Sequence, residues 1–186
     1  MAAEHGEEST EPVVAWQRIS SRTVHSSSRF SVREDAVVHA DGRSDTYTHV
    51  VVPASVTVLA VDDVDRVVLV RAWIHTHGGT QWQLPGGRVR REDRDPREAA
   101  RRELARTAGL RATDWTSIGS VHGADTLSNH VDHLFLASGV AVSNTAGLRV
   151  RRLGFADAVA LVRCGQLPHA GSAHALLITA LARAGY

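Results

Sequence analysis

The sequence predicts an α+β fold, and three observations predict it. Five β-like stretches fill the first 73 residues, one well-capped helix follows at 95–108, and two apolar helical stretches close the chain after further strands. Strands and helices come in runs instead of strict alternation, which argues for a mixed sandwich over a doubly wound parallel sheet.

Residues 15–27 (AWQRISSRTVHSS) and 29–42 (RFSVREDAVVHADG) read as two strands, with Asp41-Gly42 marking a turn. Residues 46–52 form a third strand that Pro53 ends. Residues 55–61 and 66–73 are apolar on both faces, so they are predicted central and buried, and the DDVD between them reads as a hairpin connection. The helix at 95–108 has Asp95 as N-cap, Pro96 in its first turn, Glu98 completing a capping-box pattern and Gly109 as its stop. Residues 115–121 and 130–138 read as further strands, and 154–165 and 171–185 as the closing helices.

A chain of 186 residues with 43% hydrophobic content buries a sizeable core. No apolar run reaches the roughly 18 residues of a membrane span. Residues 1–12 (MAAEHGEESTEP) lack the apolar segment of a signal peptide and read as a disordered acidic tail. That leaves 13–186 as a single domain, with 13–52 as N-terminal strands and 53–186 as its core. One cysteine, Cys164, allows no internal disulfide and fits a reducing cytoplasm; its place in an apolar helical stretch predicts a small core residue. The net charge of +1 argues against a nucleic-acid partner. The distribution is less even: every one of the 21 basic residues is arginine, and nine lie within 88–111 against five acids. Such a cluster beside a glycine turn suits an anion. After Glu103 only Asp114, Asp125, Asp132 and Asp157 carry acid groups.

The chemistry is expected around QLPGGRV (83–89), whose glycines permit close backbone approach, and REAARRELARTAG (97–109) just beyond it. Together these segments resemble the Nudix box, with Gly87, Arg102, Glu103, Leu104, Gly109 and Leu110 matching its pattern. VVLVRAW, WQLPGG, DWTSIGSV and HLFLASG extend the resemblance to ADP-ribose pyrophosphatase-like Nudix hydrolases over roughly residues 15–180. The resemblance implies an α/β/α sandwich, a Nudix fold with an N-terminal antiparallel β extension. It also implies Mg²⁺- or Mn²⁺-dependent cleavage of a diphosphate, and a homodimer whose N-terminal strands reach the partner's site.

Positions 103, 106 and 107 share one helix face. Three carboxylates there would hold hard cations, polarise a diphosphate and activate water. In this chain Arg106 and Thr107 stand at two of the three positions, so the box is degenerate. The loop before the helix is one residue longer than the family's, which puts Asp93 or Arg94 where an earlier glutamate is usual; Gln83 replaces another common glutamate. Residues 139–150, the loop that carries a later catalytic glutamate in the family, hold no acid. Glu103 and the Gly86 carbonyl are the metal ligands that remain, and the identity of any cofactor stays open.

Eleven histidines offer other chemistry. His75 and His77, if extended, share a face with Trp73, and in the family their loop faces substrate. In a strand His130 points with Asp132, and His133 with Phe135. The candidate catalytic residues are thus Glu103, His130, His75 and His77, with His122 a further histidine at a strand end. The candidate substrate-binding residues are Arg71, Trp73, Gln83, Arg88, Arg106 and His133, with Trp82 a second wall beside the glycine turn. His169 and His174 are assigned to the last helix. Three functions fit: an enzyme of altered chemistry on a small anionic or nucleotide-like ligand, with Mg²⁺-dependent hydrolysis weakened or lost; a conventional metal-dependent nucleoside-diphosphate-sugar (ADP-ribose-like) pyrophosphatase; or a non-catalytic ligand sensor. All three are read as a cytoplasmic homodimer with no membrane partner.

Overall fold

The computed structural model describes residues 15–143 and 148–186. The acidic tail at 1–12 and the middle of the acid-free loop at 139–150 therefore lie outside the described residues. The chain divides into two compact units, one ending at Val51 and the other beginning at Val52.

The N-terminal unit is an antiparallel sheet of β1 (Gln17–Ser26), β2 (Ser31–Val38) and β3 (Ser44–Val51), in that order. Asp41-Gly42 forms the tip between β2 and β3, where Gly42 adopts φ 82°. Every residue of β1 is exposed; Ile19 and Val24 present apolar surface there, as does Trp16 just before the strand.

The second unit is built on two central strands, β4 (Ser55–Ala60) and β5 (Arg66–Ile74). A 3₁₀ turn at His75–His77 leads to β6 (Gly79–Gln83) and β7 (Gly86–Arg88), then to helix α1 (Pro96–Ala108). β8 (Leu110–Arg111), β9 (Asp114–Val121), β10 (Asp132–Ser138), β11 (Ala141–Val142) and β12 (Arg149–Gly154) follow, before α2 (Phe155–Arg163) and α3 (Ala170–Arg183). The strands order as β7-β4-β10-β9, β12-β5-β6 and β11-β8, with β10 parallel to β4 and the other pairs antiparallel.

Alternation along the central strands sorts side chains into two cores. Val56, Val58 and Ala60 of β4, with Val68 and Val70 of β5, pack against Ala99, Ala100, Leu104 and Ala108 of α1. Their neighbours Leu59, Val61, Val67 and Leu69 pack against Phe155 and Ala158 of α2 and Ala175 and Leu176 of α3. The result is an α/β/α sandwich, and it explains why both strands are apolar on both faces. Truncating Leu104, which has no exposed surface, to alanine would cost about 2–5 kcal/mol.

One topological expectation fails. β4 and β5 do not form a hairpin ladder: they touch at a single bridge, Val61 to Val67, and otherwise pair with different strands. Asp62 turns the chain instead, accepting from the Arg66 backbone N–H at 2.8 Å and from the Arg66 side chain. Cys164 is the other correction, because it lies exposed just past α2 and not in the core.

Helix α1 starts and stops where its caps dictate. The Asp95 carboxylate accepts the Glu98 N–H at 2.8 Å. Glu98 reaches back to the Arg94 N–H, one residue earlier than a standard capping box. Gly109 takes φ 66° and returns its N–H to the Ala105 carbonyl, a conformation that disfavours any side chain. Among the described residues no helix is long and apolar enough to cross a membrane.

Candidate functional site

Pro85 delivers the chain into β7, where Gly86 is in register with Thr57 and Gly87 with Val56. A Cβ on Gly87 would lie 2.5 Å from Glu103 Oε2, and one on Gly86 would lie 2.4 Å from the Val56 carbonyl oxygen. The side-chain-free turn thus lets the sheet and the Glu103 carboxylate meet directly.

Glu103 is 2% exposed, and both of its oxygens are occupied. Arg102 Nη1 donates to Oε1. Arg106 donates to Oε2 through Nε at 2.8 Å and again through Nη2. Thr107, also buried, turns its hydroxyl back to the Glu103 carbonyl at 2.6 Å and offers nothing outward. Arg102 is shared: its Nε and Nη2 fork onto Asp93 at 2.9 and 2.6 Å, and Nη2 also donates to the Arg88 carbonyl. The fork from Arg102 lowers the Asp93 carboxyl to about 2, and the same bond raises the Arg102 guanidinium. Two carboxylates and two guanidiniums therefore neutralise each other beneath the glycine turn.

That arrangement does not fit a divalent cation. A metal needs free carboxylate oxygens, and here each Glu103 oxygen already accepts N–H bonds. The helix position three residues on carries a fixed positive charge. Among the described residues no group of three or more His, Cys, Asp or Glu side chains is placed to hold a metal ion.

On the opposite face of the sheet lies a second polar cluster. Asp132 is 5% exposed and accepts from the Ser55 and Thr57 hydroxyls, each at 2.7 Å. His169 caps α3. Its Nδ1 accepts the Ser172 N–H at 3.2 Å and contacts the Ser172 hydroxyl at 2.9 Å, and that hydroxyl in turn accepts the Leu84 N–H. A neutral ring with Nδ1 as acceptor carries its proton on Nε2. Burial lowers the His169 pKa; the Asp132 charge opposes that shift and His130 adds to it. His169 lines a cavity of about 110 Å³ with Ser55, Thr57, Gln83, Gly86 and Gly87.

The predicted site residues scatter accordingly. Glu103 and Arg106 meet, as ion-pair partners, and Gly86 and Gln83 adjoin the small cavity. Arg88 follows the glycines and lines a cavity of about 490 Å³ with Arg90, Arg91 and Glu92, over Pro53 and Ala54. Arg71 lies on β5 and donates to the Thr80 hydroxyl at 2.9 Å, while Trp73 is 62% exposed further along the strand. Trp82 packs against the core beneath α2 and α3. His75 and His77 are not extended: they occupy the 3₁₀ turn, are exposed, and make no hydrogen bond or ion pair with another side chain among the described residues. His130 precedes β10 instead of lying in it, held by its N–H on Ser128, whereas His133 is half-buried on the strand face shared with Phe135. His122 pairs with Asp125 in an exposed turn. Sequence reasoning passed over His169. The usable signal was its position three residues before Ser172, the spacing of an N-cap partner.

With this geometry in hand, the NUDIX domain model matches residues 51–169. The chain belongs to the Nudix family. A second model, the nucleoside diphosphate sugar hydrolase N-terminal domain, matches residues 16–50, so the Nudix core and its antiparallel extension are each recognised. Nudix relatives include an ADP-ribose pyrophosphatase of Mycobacterium tuberculosis (strain ATCC 25618 / H37Rv), 30% identical over 125 residues. That alignment covers 67% of this chain and 60% of the relative, so the chain spans well under the relative's full length. An ADP-ribose pyrophosphatase of Bacillus subtilis (strain 168) is 25% identical over 131 residues, 67% of this chain and 70% of that protein. A crystal structure of an ADP compounds hydrolase superposes with a TM-score of 0.83 at 19% identity, over 95% of this Nudix chain and 98% of the other, a likeness of fold.

Proposed function

We propose that this Nudix protein binds a nucleoside-diphosphate-type ligand at the glycine turn and has lost, or greatly weakened, the metal-dependent hydrolysis of its family. The observation that carries this reading is the Glu103 carboxylate held by Arg102 and Arg106. Arg88, Arg90 and Arg91 supply the anion site, since their cavity adjoins the turn and guanidiniums bind diphosphate oxygens in pairs. His169 is a half-buried titratable group beside the turn, and its Nε2 proton makes it the candidate acid–base residue of an altered chemistry. His75 and His77 lose weight through their exposure. The exposed apolar residues of β1 support a homodimer formed through the N-terminal sheet. A cytoplasmic setting rests on the single, exposed cysteine.

The names of the two curated relatives favour a second reading, conventional hydrolysis of an ADP-ribose-like substrate. Turnover of ADP-ribose and nucleoside-diphosphate sugars, with and without Mg²⁺ or Mn²⁺, separates the two. The first reading expects saturable binding weakened by Arg88→Ala, with turnover little changed by metal. Strong metal-dependent turnover abolished by Glu103→Gln would establish the second and overturn the first. Metal-independent turnover lost in His169→Asn assigns the altered chemistry, and binding without any turnover leaves a ligand sensor.

A further inference from the structure

The outward side of α1 carries a feature that the glycine-turn site does not use. A cavity of about 570 Å³ opens there, within the range of roughly 300–1,000 Å³ typical of small-molecule sites. Five arginines line it, against two acids. Two of the five are already paired, Arg94 with Glu98 and Arg102 with Asp93. Both lining acids are engaged as well, Asp95 as the helix cap and Glu98 on Arg94. Arg97, Arg101 and Arg111 are left with no carboxylate partner among the described residues.

The cavity also has an aromatic wall whose position is fixed. Trp115 donates its indole N–H to the Ala112 carbonyl at 3.1 Å and meets Phe135 edge-on at 6.4 Å. The indole is half-buried, packed against the core below, and Arg101 rides above its ring at 5.9 Å. At that distance the guanidinium sits at the outer limit of a cation–π contact above the ring. Ala105 and Ala112 leave the approach to the indole open.

A rigid indole face beside three uncompensated guanidiniums matches a ligand with one planar ring and a compact group of negative charge. We infer that this cavity is a second site, separate from the glycine turn, that binds a mononucleotide, with the base against Trp115 and the phosphates on Arg97, Arg101 and Arg111. Stacking on an aromatic ring and paired guanidinium–phosphate bonds are the two interactions such a ligand needs. The cavity has a volume of the size that one nucleotide fills.

The test is a titration of the full chain with ADP, adenosine and inorganic pyrophosphate, followed through the Trp115 indole N–H resonance, which Trp115→Phe identifies by its disappearance. ADP is expected to shift that resonance saturably and to bind at least tenfold more tightly than either fragment. Arg101→Ala combined with Arg111→Ala should weaken this event at least tenfold, whereas Arg88→Ala leaves it in place. An unmoved Trp115 signal at saturating ADP overturns the proposal. Pyrophosphate binding as tightly as ADP overturns the nucleotide assignment, as does a shift that Arg88→Ala abolishes. A single-stranded oligonucleotide that outcompetes ADP at equal phosphate concentration would replace the mononucleotide with a polymer.

Discussion

Arg106 Nε lies 2.8 Å from Glu103 Oε2, three residues back on the same helix, and this pair fills the place where the family resemblance expects a metal-binding face. An i, i+3 pair on an exposed helix is worth only about 0.2–0.5 kcal/mol, but here the carboxylate is buried and the bond is charge-assisted. The pair is therefore a structural commitment of the helix and not a surface ornament.

Replacing Arg106 with glutamate should convert it. Arg106→Glu removes the guanidinium from Oε2 and adds a second carboxylate to the same face. Mn²⁺ binding, followed by the loss of its free paramagnetic signal, is expected to tighten at least tenfold over the unmodified chain. Equal Mn²⁺ affinity in the two proteins would show that Arg106 is not what excludes the ion.

Gly87→Ala should destabilise through the same carboxylate. The new methyl would sit 2.5 Å from Glu103 Oε2, and moving a doubly bonded carboxylate in a packed site costs about 1–3 kcal/mol. Urea unfolding measures this, with Gly123→Ala as control, since a Cβ there meets nothing within 4 Å. Matching midpoints in the two variants would refute the close approach.

Asp132→Ala should cost about 1–3 kcal/mol, because it leaves the Ser55 and Thr57 hydroxyls without their acceptor in a buried setting. Asp132→Asn keeps an acceptor oxygen and should recover part of the loss. Equilibrium unfolding of both variants at pH 7 checks the order.

His169 ties stability to pH. Burial depresses its folded-state pKa below 6.5, so the unfolded chain takes up the proton first. Its contribution is complete above about pH 6.5 and is lost as pH falls from there through the folded value. His169→Asn keeps a helix-capping oxygen but no titratable ring. The slope of stability against pH below 6.5 should be shallower in this variant than in the parent; identical slopes would remove His169 from the account.

Much of this architecture was legible beforehand because it is local. Asp95, Pro96 and Gly109 define α1 by short-range backbone bonds, and the alternation in 55–61 and 66–73 shows strands buried on both faces. What stayed hidden was long-range pairing. Asp62 makes a turn that looks like a hairpin, while partner choice for β4 is settled by β10, more than seventy residues away. The same distance hid the second polar cluster, since Ser55, Thr57, Asp132 and His169 converge from three segments. The departures at Arg106 and Thr107 could be read from spacing alone. That Arg106 turns inward to satisfy Glu103 depends on how α1 packs on β7.

The mutual neutralisation of Asp93, Arg102, Glu103 and Arg106 bears on where the protein can work. A helix face crowded with acids would lean on dissolved magnesium to relieve its repulsion, and its folding would track the ion supply. This chain has internalised its counterions, so chelators or scarcity of divalent salt should leave its melting temperature where it was.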